Sequence, residues 1–134
     1  MLERTFGGLK LLADTLRRAK TMADSKIIWS VLTQSMLKEF GTIDDDREGI
    51  VDHLFLTHGT QVAVLFFELE GQETKVSFRS QGLVDVAQFA RSITVRGGGH
   101  RKAAGANLAL SVGEAENKVL RELEAHLVLQ ESMR

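Results

Sequence analysis

The chain has 134 residues, 43% hydrophobic and 26% charged, with 17 Lys and Arg against 18 Asp and Glu. That length suits one domain with a core of ordinary size, and the near balance of charge is unlike the strongly basic profile of domains that grip long duplexes. The absence of Cys excludes a disulfide framework and a zinc-thiolate site, and no apolar run reaches the roughly 18 to 20 residues of a membrane helix, so a soluble, cytoplasmic protein with no membrane partner is expected.

Leu2, Phe6, Leu9, Ala13, Leu16 and Ala19 recur at helical spacing, which predicts an amphipathic helix over residues 2–20 with this stripe on the core. Such a start leaves no room for an N-cap, so a native chain extending upstream of Met1 is the expectation. Residues 26–33, "KIIWSVLT", read as a strand. Thr33 can then cap a short helix, "QSMLKEF", that Gly41 ends; Asp45 with Glu48 resembles a capping box before a second helix bearing Ile50, Val51, Leu54 and Phe55.

The clearest local pattern is "VAVLFFELEGQETKVSFRS", two β runs joined at Gly71-Gln72, with glycine where a type II′ hairpin wants it. A two-residue loop there sets Glu68 opposite Lys75 and Val64 opposite Arg79. The apolar run 62–67 predicts a central strand covered on both faces. Alternation on the outgoing strand puts Lys75, Ser77 and Arg79 on one face, shared through that pairing with Val64, Phe66 and Glu68. Arg79 there suits a phosphate or a base, with Phe66 as a neighbouring platform; a solvated strand end or a partner for Glu68 is the plainer alternative.

Asp85 and Gln88 form another capping pattern, opening a helix over 86–92, and a glycine loop follows it. Residues 104–110 read as a strand, and Ser111 with Glu114 caps a last helix carrying Val119, Leu120, Leu123 and Leu127 on one side. The order αβααββαβα predicts an α/β fold: a single domain over 1–134 with a central mixed β-sheet of four to five strands, flanked by helices on both faces.

Chemistry concentrates in "TVRGGGHRKAAGAN", residues 94–107. Between Val86 and Gly113 there is no acid, while Arg91, Arg96, Arg101 and Lys102 fall there beside His100, leaving 13 cations against 18 acids elsewhere. Consecutive glycines can turn backbone N–H groups toward one point and make a concave anion site. His100, Arg101 and Lys102 would add donors and charge. A flexible helix-to-strand connection is the alternative. The spacing fits neither a dinucleotide nor a Walker fingerprint. His100 has no nucleophile or carboxylate near it in sequence, so the segment reads as a binding site with no catalytic residue. Asp44-Asp45-Asp46 reads as capping chemistry rather than a Mg²⁺ site, and His53 and His58, about 140° apart on a helix, are poor co-ligands. No metal site is expected.

"GGGHRKAAGA" resembles the signature of the DHH-associated domain, the carboxy-terminal half of DHH phosphoesterases. "KVSFRSQGLVDVAQFA" and "DREGIVDHLFLTHGTQVAVLFFE" resemble segments of the NrnA-like nanoRNase/pAp-phosphatase branch, and "ERTFGGLKLLADTLRRA" resembles the helix that follows the interdomain linker. The resemblance implies a substrate-binding domain, with two Mn²⁺ ions and the catalytic chemistry in a DHH domain of the same native chain that is absent here. It implies that Gly97, Gly98, Gly99 and His100 bind a substrate phosphate, and that Arg79 with Ser80 contacts phosphate or base. Glu48 and Asp52 lie in the similar helix without an assigned contact. Two features depart from the family: no Asp-His-His motif is present, and Arg96 stands where another glycine is often found. The implied substrates are short RNA or 3′-phosphoadenosine 5′-phosphate; a stand-alone nucleotide-binding module and the substrate domain of a cyclic-dinucleotide phosphodiesterase are the alternatives.

Overall fold

The computed structural model describes residues 3–133. The elements are α1 (Phe6–Arg17), β1 (Lys20–Met22), β2 (Ile27–Leu32), α2 (Gln34–Phe40), a 3-10 turn (Asp44–Arg47), α3 (Ile50–Phe55), β3 (Val62–Leu69), β4 (Glu73–Ser80), α4 (Val86–Ile93), β5 (Gly97–His100), β6 (Ala103–Leu108) and α5 (Val112–Ser132). The strands form one mixed sheet of six in the order β1-β2-β3-β4-β6-β5. Only β2 and β3 run parallel among the described strands. Six strands exceed the four to five expected; β1 and β5 carry no strand pattern in the sequence, because each is short and neither alternates in hydrophobicity.

Period-two alternation sorts the sheet into two faces. Val64, Phe66, Val76, Phe78, Ala104, Ala106 and Leu108 point to a core closed by α4 and α5, through Ala87, Phe89, Val119, Leu123 and Leu127. Phe78 and Phe89 meet edge to face, with centroids 5.7 Å apart. The other core joins Ile28, Leu32, Ala63, Leu65 and Phe67 to Leu11, Met36, Ile50, Val51 and Leu54 of the first three helices. That cover stops at the margin of β4. Among the described residues no helix lies over β6 and β5 on this side.

The hairpin differs from its expected register by one residue. Phe67 faces Lys75, Ala63 faces Arg79 and Leu69 faces Glu73, so the loop is Glu70-Gly71-Gln72. Gly71 and Gln72 both take positive φ, 76° and 59°, whereas a type II′ turn needs it only at the first. A one-residue slip moves a whole side-chain set to the other face. Here it groups Val64 and Phe66 with Val76 and Phe78 under α4 and α5, and burying those four outweighs the turn preference. Phe66 is therefore fully buried on the face away from Arg79 and is no platform for it. Glu68 is no partner of Arg79 either, since its carboxylate accepts from the Gln34 backbone N–H at 2.9 Å.

The stripe expected on α1 meets the core only at its end, where Leu16 and Ala19 are partly buried; its first residues face outward. Phe6 and Leu9 are 73% and 55% exposed, and the helix buries Gly8, Leu11 and Thr15 instead; Leu2 lies outside the described residues. The cause is a polar contact. The buried carboxylate of Asp46 accepts hydrogen bonds from the Thr5 N–H (2.9 Å), the Thr5 hydroxyl (2.6 Å) and the Ile43 N–H (2.9 Å), and Arg4 donates to the Asp46 carbonyl. A Cβ at Gly8 would stand 2.0 Å from Asp46 Oδ1, so only glycine lets α1 sit against it. The Thr5 hydroxyl, followed by the Ile43 amide, holds the Asp46 carboxyl below the ordinary aspartate range. The capping box expected at Asp45 and Glu48 is accordingly not formed: α3 starts after Gly49, at φ 77°. Elsewhere the caps agree with expectation, with Thr33, Asp85 and Ser111 each accepting a backbone N–H and Gly41 closing α2 at φ 58°.

Candidate functional site

The glycine segment is an edge strand. β5 pairs antiparallel with β6, Gly97 to Ala106, Gly98 to Gly105, Gly99 to Ala104 and His100 to Ala103, leaving Arg101-Lys102 as the turn. Each glycine meets a different neighbour. A Cβ at Gly97 would lie 2.2 Å from the Ala90 carbonyl oxygen, so glycine lets α4 close on the strand. Gly99 has φ 140°, outside the range other residues favour, and a Cβ there would lie 2.7 Å from Ala103 O and Ala104 Cα. At Gly98 a Cβ would meet nothing within 4 Å.

Residues directly opposite in a ladder share a face. Through β6, Gly98 shares its face with Gly105 and Ser77, His100 with Ala103 and Arg79, and Asn107 with Lys75. This is the half-sheet that no helix covers. It presents uncovered backbone at Gly98 and Gly105 between His100 and Arg79 at one end and Lys75 and Asn107 at the other.

Arg79 is held from two sides: Nε donates to Asp52 Oδ1 at 2.7 Å and Nη1 to the Phe78 carbonyl at 2.9 Å. Asp52 thus has a definite contact that the sequence did not assign. Ser80 points away from this face; it is buried, and its hydroxyl donates to the Val84 carbonyl at 2.8 Å. Arg101 and Lys102 are exposed at the turn, their carbonyls accepting from the Val86 and Ser80 amides, and Arg101 Nη1 lies 3.8 Å from Asp85. Arg96 pairs with Glu73 across the far end of the open face. The run of cations in sequence is therefore partly neutralised in space. The charge that joins His100 comes instead from β4. Lys75 and Ser77 were legible as companions of Arg79 from alternation alone, whereas Gly105 and Asn107 depend on a β4–β6 pairing that nothing local encodes.

The open face runs at β4 into a cavity of about 380 Å³ lined by residues of β3, β4 and the wall from Asp45 to Val51. Lys75, Ser77 and Arg79 belong to both. Among the described residues no group of three His, Asp or Glu could hold a metal ion, and none of their helices is long and apolar enough to cross a membrane.

A family model described as the DHHA1 domain matches residues 24–128. Among solved structures, an exopolyphosphatase-related protein from Bacteroides fragilis superposes with a TM-score of 0.85 at 25% identity, covering 96% of this chain and 37% of that one. A pGpG-specific phosphodiesterase from Vibrio cholerae superposes with a TM-score of 0.59 at 13% identity over 94% of this chain and 39% of its own, a likeness of fold. The chain thus spans under two fifths of either structure's length. No curated protein matches it.

Proposed function

The chain belongs to the DHHA1 domain family, and from that premise we propose that it is the substrate-binding domain of a DHH phosphoesterase, holding a nucleotide phosphate on the open face of its sheet. The observation that carries the reading is the uncovered backbone of Gly98 and Gly105 between His100, Arg79 and Lys75. A phosphate can approach the main chain there because no side chain intervenes. His100 supplies a ring donor. The Arg79 guanidinium, oriented by Asp52, supplies charge-assisted hydrogen bonds, and Lys75 acts as a point charge. Gly97 and Gly99 contribute by fixing the strand, Arg101 and Lys102 by charge at the rim, and Ser80 by anchoring the end of β4 from behind.

The described residues do not fit the two Mn²⁺ ions that the family resemblance implies. Bond cleavage is therefore assigned to a DHH domain in the same native chain, and this domain's part is to bind and orient. Short RNA and 3′-phosphoadenosine 5′-phosphate are the proposed substrates, in keeping with an open face only three strands wide, and the cytoplasm is the proposed location.

Titration of 3′-phosphoadenosine 5′-phosphate into ¹⁵N-labelled chain tests the reading. The amides of Gly98, Gly99 and His100 should shift, and Arg79→Ala should weaken binding about tenfold or more, since hydrogen bonds to charged groups contribute roughly 1.5 to 3 kcal/mol. Unmoved glycine amides, or equal binding by His100→Ala, would sink it.

A further inference from the structure

We propose that the cavity beside Arg79 is a nucleobase subsite favouring a base with two adjacent N–H donors, guanine above uracil; this rests on the glycine face being the phosphate site. The volume, about 380 Å³, lies in the range of small-ligand sites. Its apolar floor is Leu65, Phe67 and Leu69. The Arg47 guanidinium lies 4.6 Å from the Phe67 ring centre, a planar layer of the kind on which bases stack.

The two sides of the cavity differ in chemistry. Lys75 and Arg79 belong to β4, which joins the glycine face, and Asp45 and Glu48 belong to the segment from the 3-10 turn to the start of α3, whose Asp52 holds Arg79. Those two carboxylates have no hydrogen bond or ion pair among the described residues. An ionised carboxylate only accepts. It repels phosphate and takes N–H groups from a base edge, two from guanine and one from uracil. Cations, an apolar floor and acids thus line one cavity, chemistries that suit the phosphate, sugar and base of a nucleotide. Neighbouring strands are about 4.8 Å apart, so the floor on β3 lies about 10 Å from a phosphate held over Gly105 on β6 and about 14 Å from one over Gly98 on β5, and a nucleotide joins the two by lying extended across β4.

The experiment titrates ¹⁵N-labelled chain separately with ribose 5-phosphate, UMP and GMP. All three should move the Gly98 to His100 amides. Only the nucleotides should also move Glu48, Gly49 and Phe67, and GMP should bind about tenfold more tightly than UMP. In Asp45→Ala/Glu48→Ala that ratio should fall toward one while ribose 5-phosphate binds no more weakly. Equal affinity for GMP and ribose 5-phosphate with silent cavity amides overturns the base subsite and leaves the phosphate site standing. Glycine amides unmoved by any of the three overturn both.

Discussion

A methyl group added at Gly97 would press on the backbone of Ala90, while one added at Gly98 would project into open space. The two neighbours therefore separate folding from binding. Gly97→Ala should lose about 1 to 3 kcal/mol of stability, the usual range for overpacking. Gly98→Ala should stay within about 0.5 kcal/mol of wild type, yet weaken phosphate binding by holding the anion off the main chain. Urea denaturation and ligand titration of both variants check the contrast; equal stability losses would show that packing, rather than the ligand, requires glycine at both positions. The Gly-Gly-Gly-His pattern stands out in the sequence, but the different neighbour of each glycine does not. That difference depends on α4, which crosses one residue and spares the next.

At the scale of elements, Asp46 joins the 3-10 turn to the start of α1, and that turn is also part of the cavity wall. Its carboxyl is held below the ordinary aspartate range by the hydrogen bonds of Thr5 and Ile43. A depressed pKa in the folded state contributes stability at pH above the unfolded value, near 4, and that contribution is lost as pH falls through the folded one. Asp46→Asn should therefore melt at a lower temperature than wild type at pH 7. The gap should narrow below about pH 4, as melting scans across that range would reveal. Helix caps at Thr33, Asp85 and Ser111 were legible because a cap is local chemistry. The face of α1 was not, because a distant carboxylate turns it and the buried residues include Gly8 and Thr15, which carry no hydrophobic signal. The hairpin register escapes the sequence for a related reason: the loop rule looks at Gly71-Gln72, while the register answers to helices that pack on the sheet much later in the chain.

Across the whole molecule the formal charge is only −1, so no long-range field draws in a polyanion. On the proposed reading, attraction comes from a few groups on half of one sheet face. With Lys75 and Arg79 as the two cations there, the logarithm of affinity for a short RNA should fall with the logarithm of salt at a slope of about −1.4. Binding curves between 50 and 200 mM salt, an interval in which extended binders lose orders of magnitude, measure it; a slope several times steeper would mean that much more of the surface takes part. The α/β class, the mixed sheet and the central place of β3 were legible from hydrophobic pattern. The uneven cover was not, because it depends on how three helices share one side of the sheet.

β5 lies at the end of that sheet, bonded along one side only, and three of its four residues are glycine. Gly97 is pinned beneath α4, but Gly98 and Gly99 lack side chains that could anchor them from the open side. Such a strand can open locally at less free energy than global unfolding requires. Its amides should therefore exchange with solvent deuterium well before those of β3, and a bound phosphate should slow them by the factor 1 + [L]/Kd, with L the ligand. The proposed binding face thus carries its own gauge of occupancy, readable without any assay of catalysis.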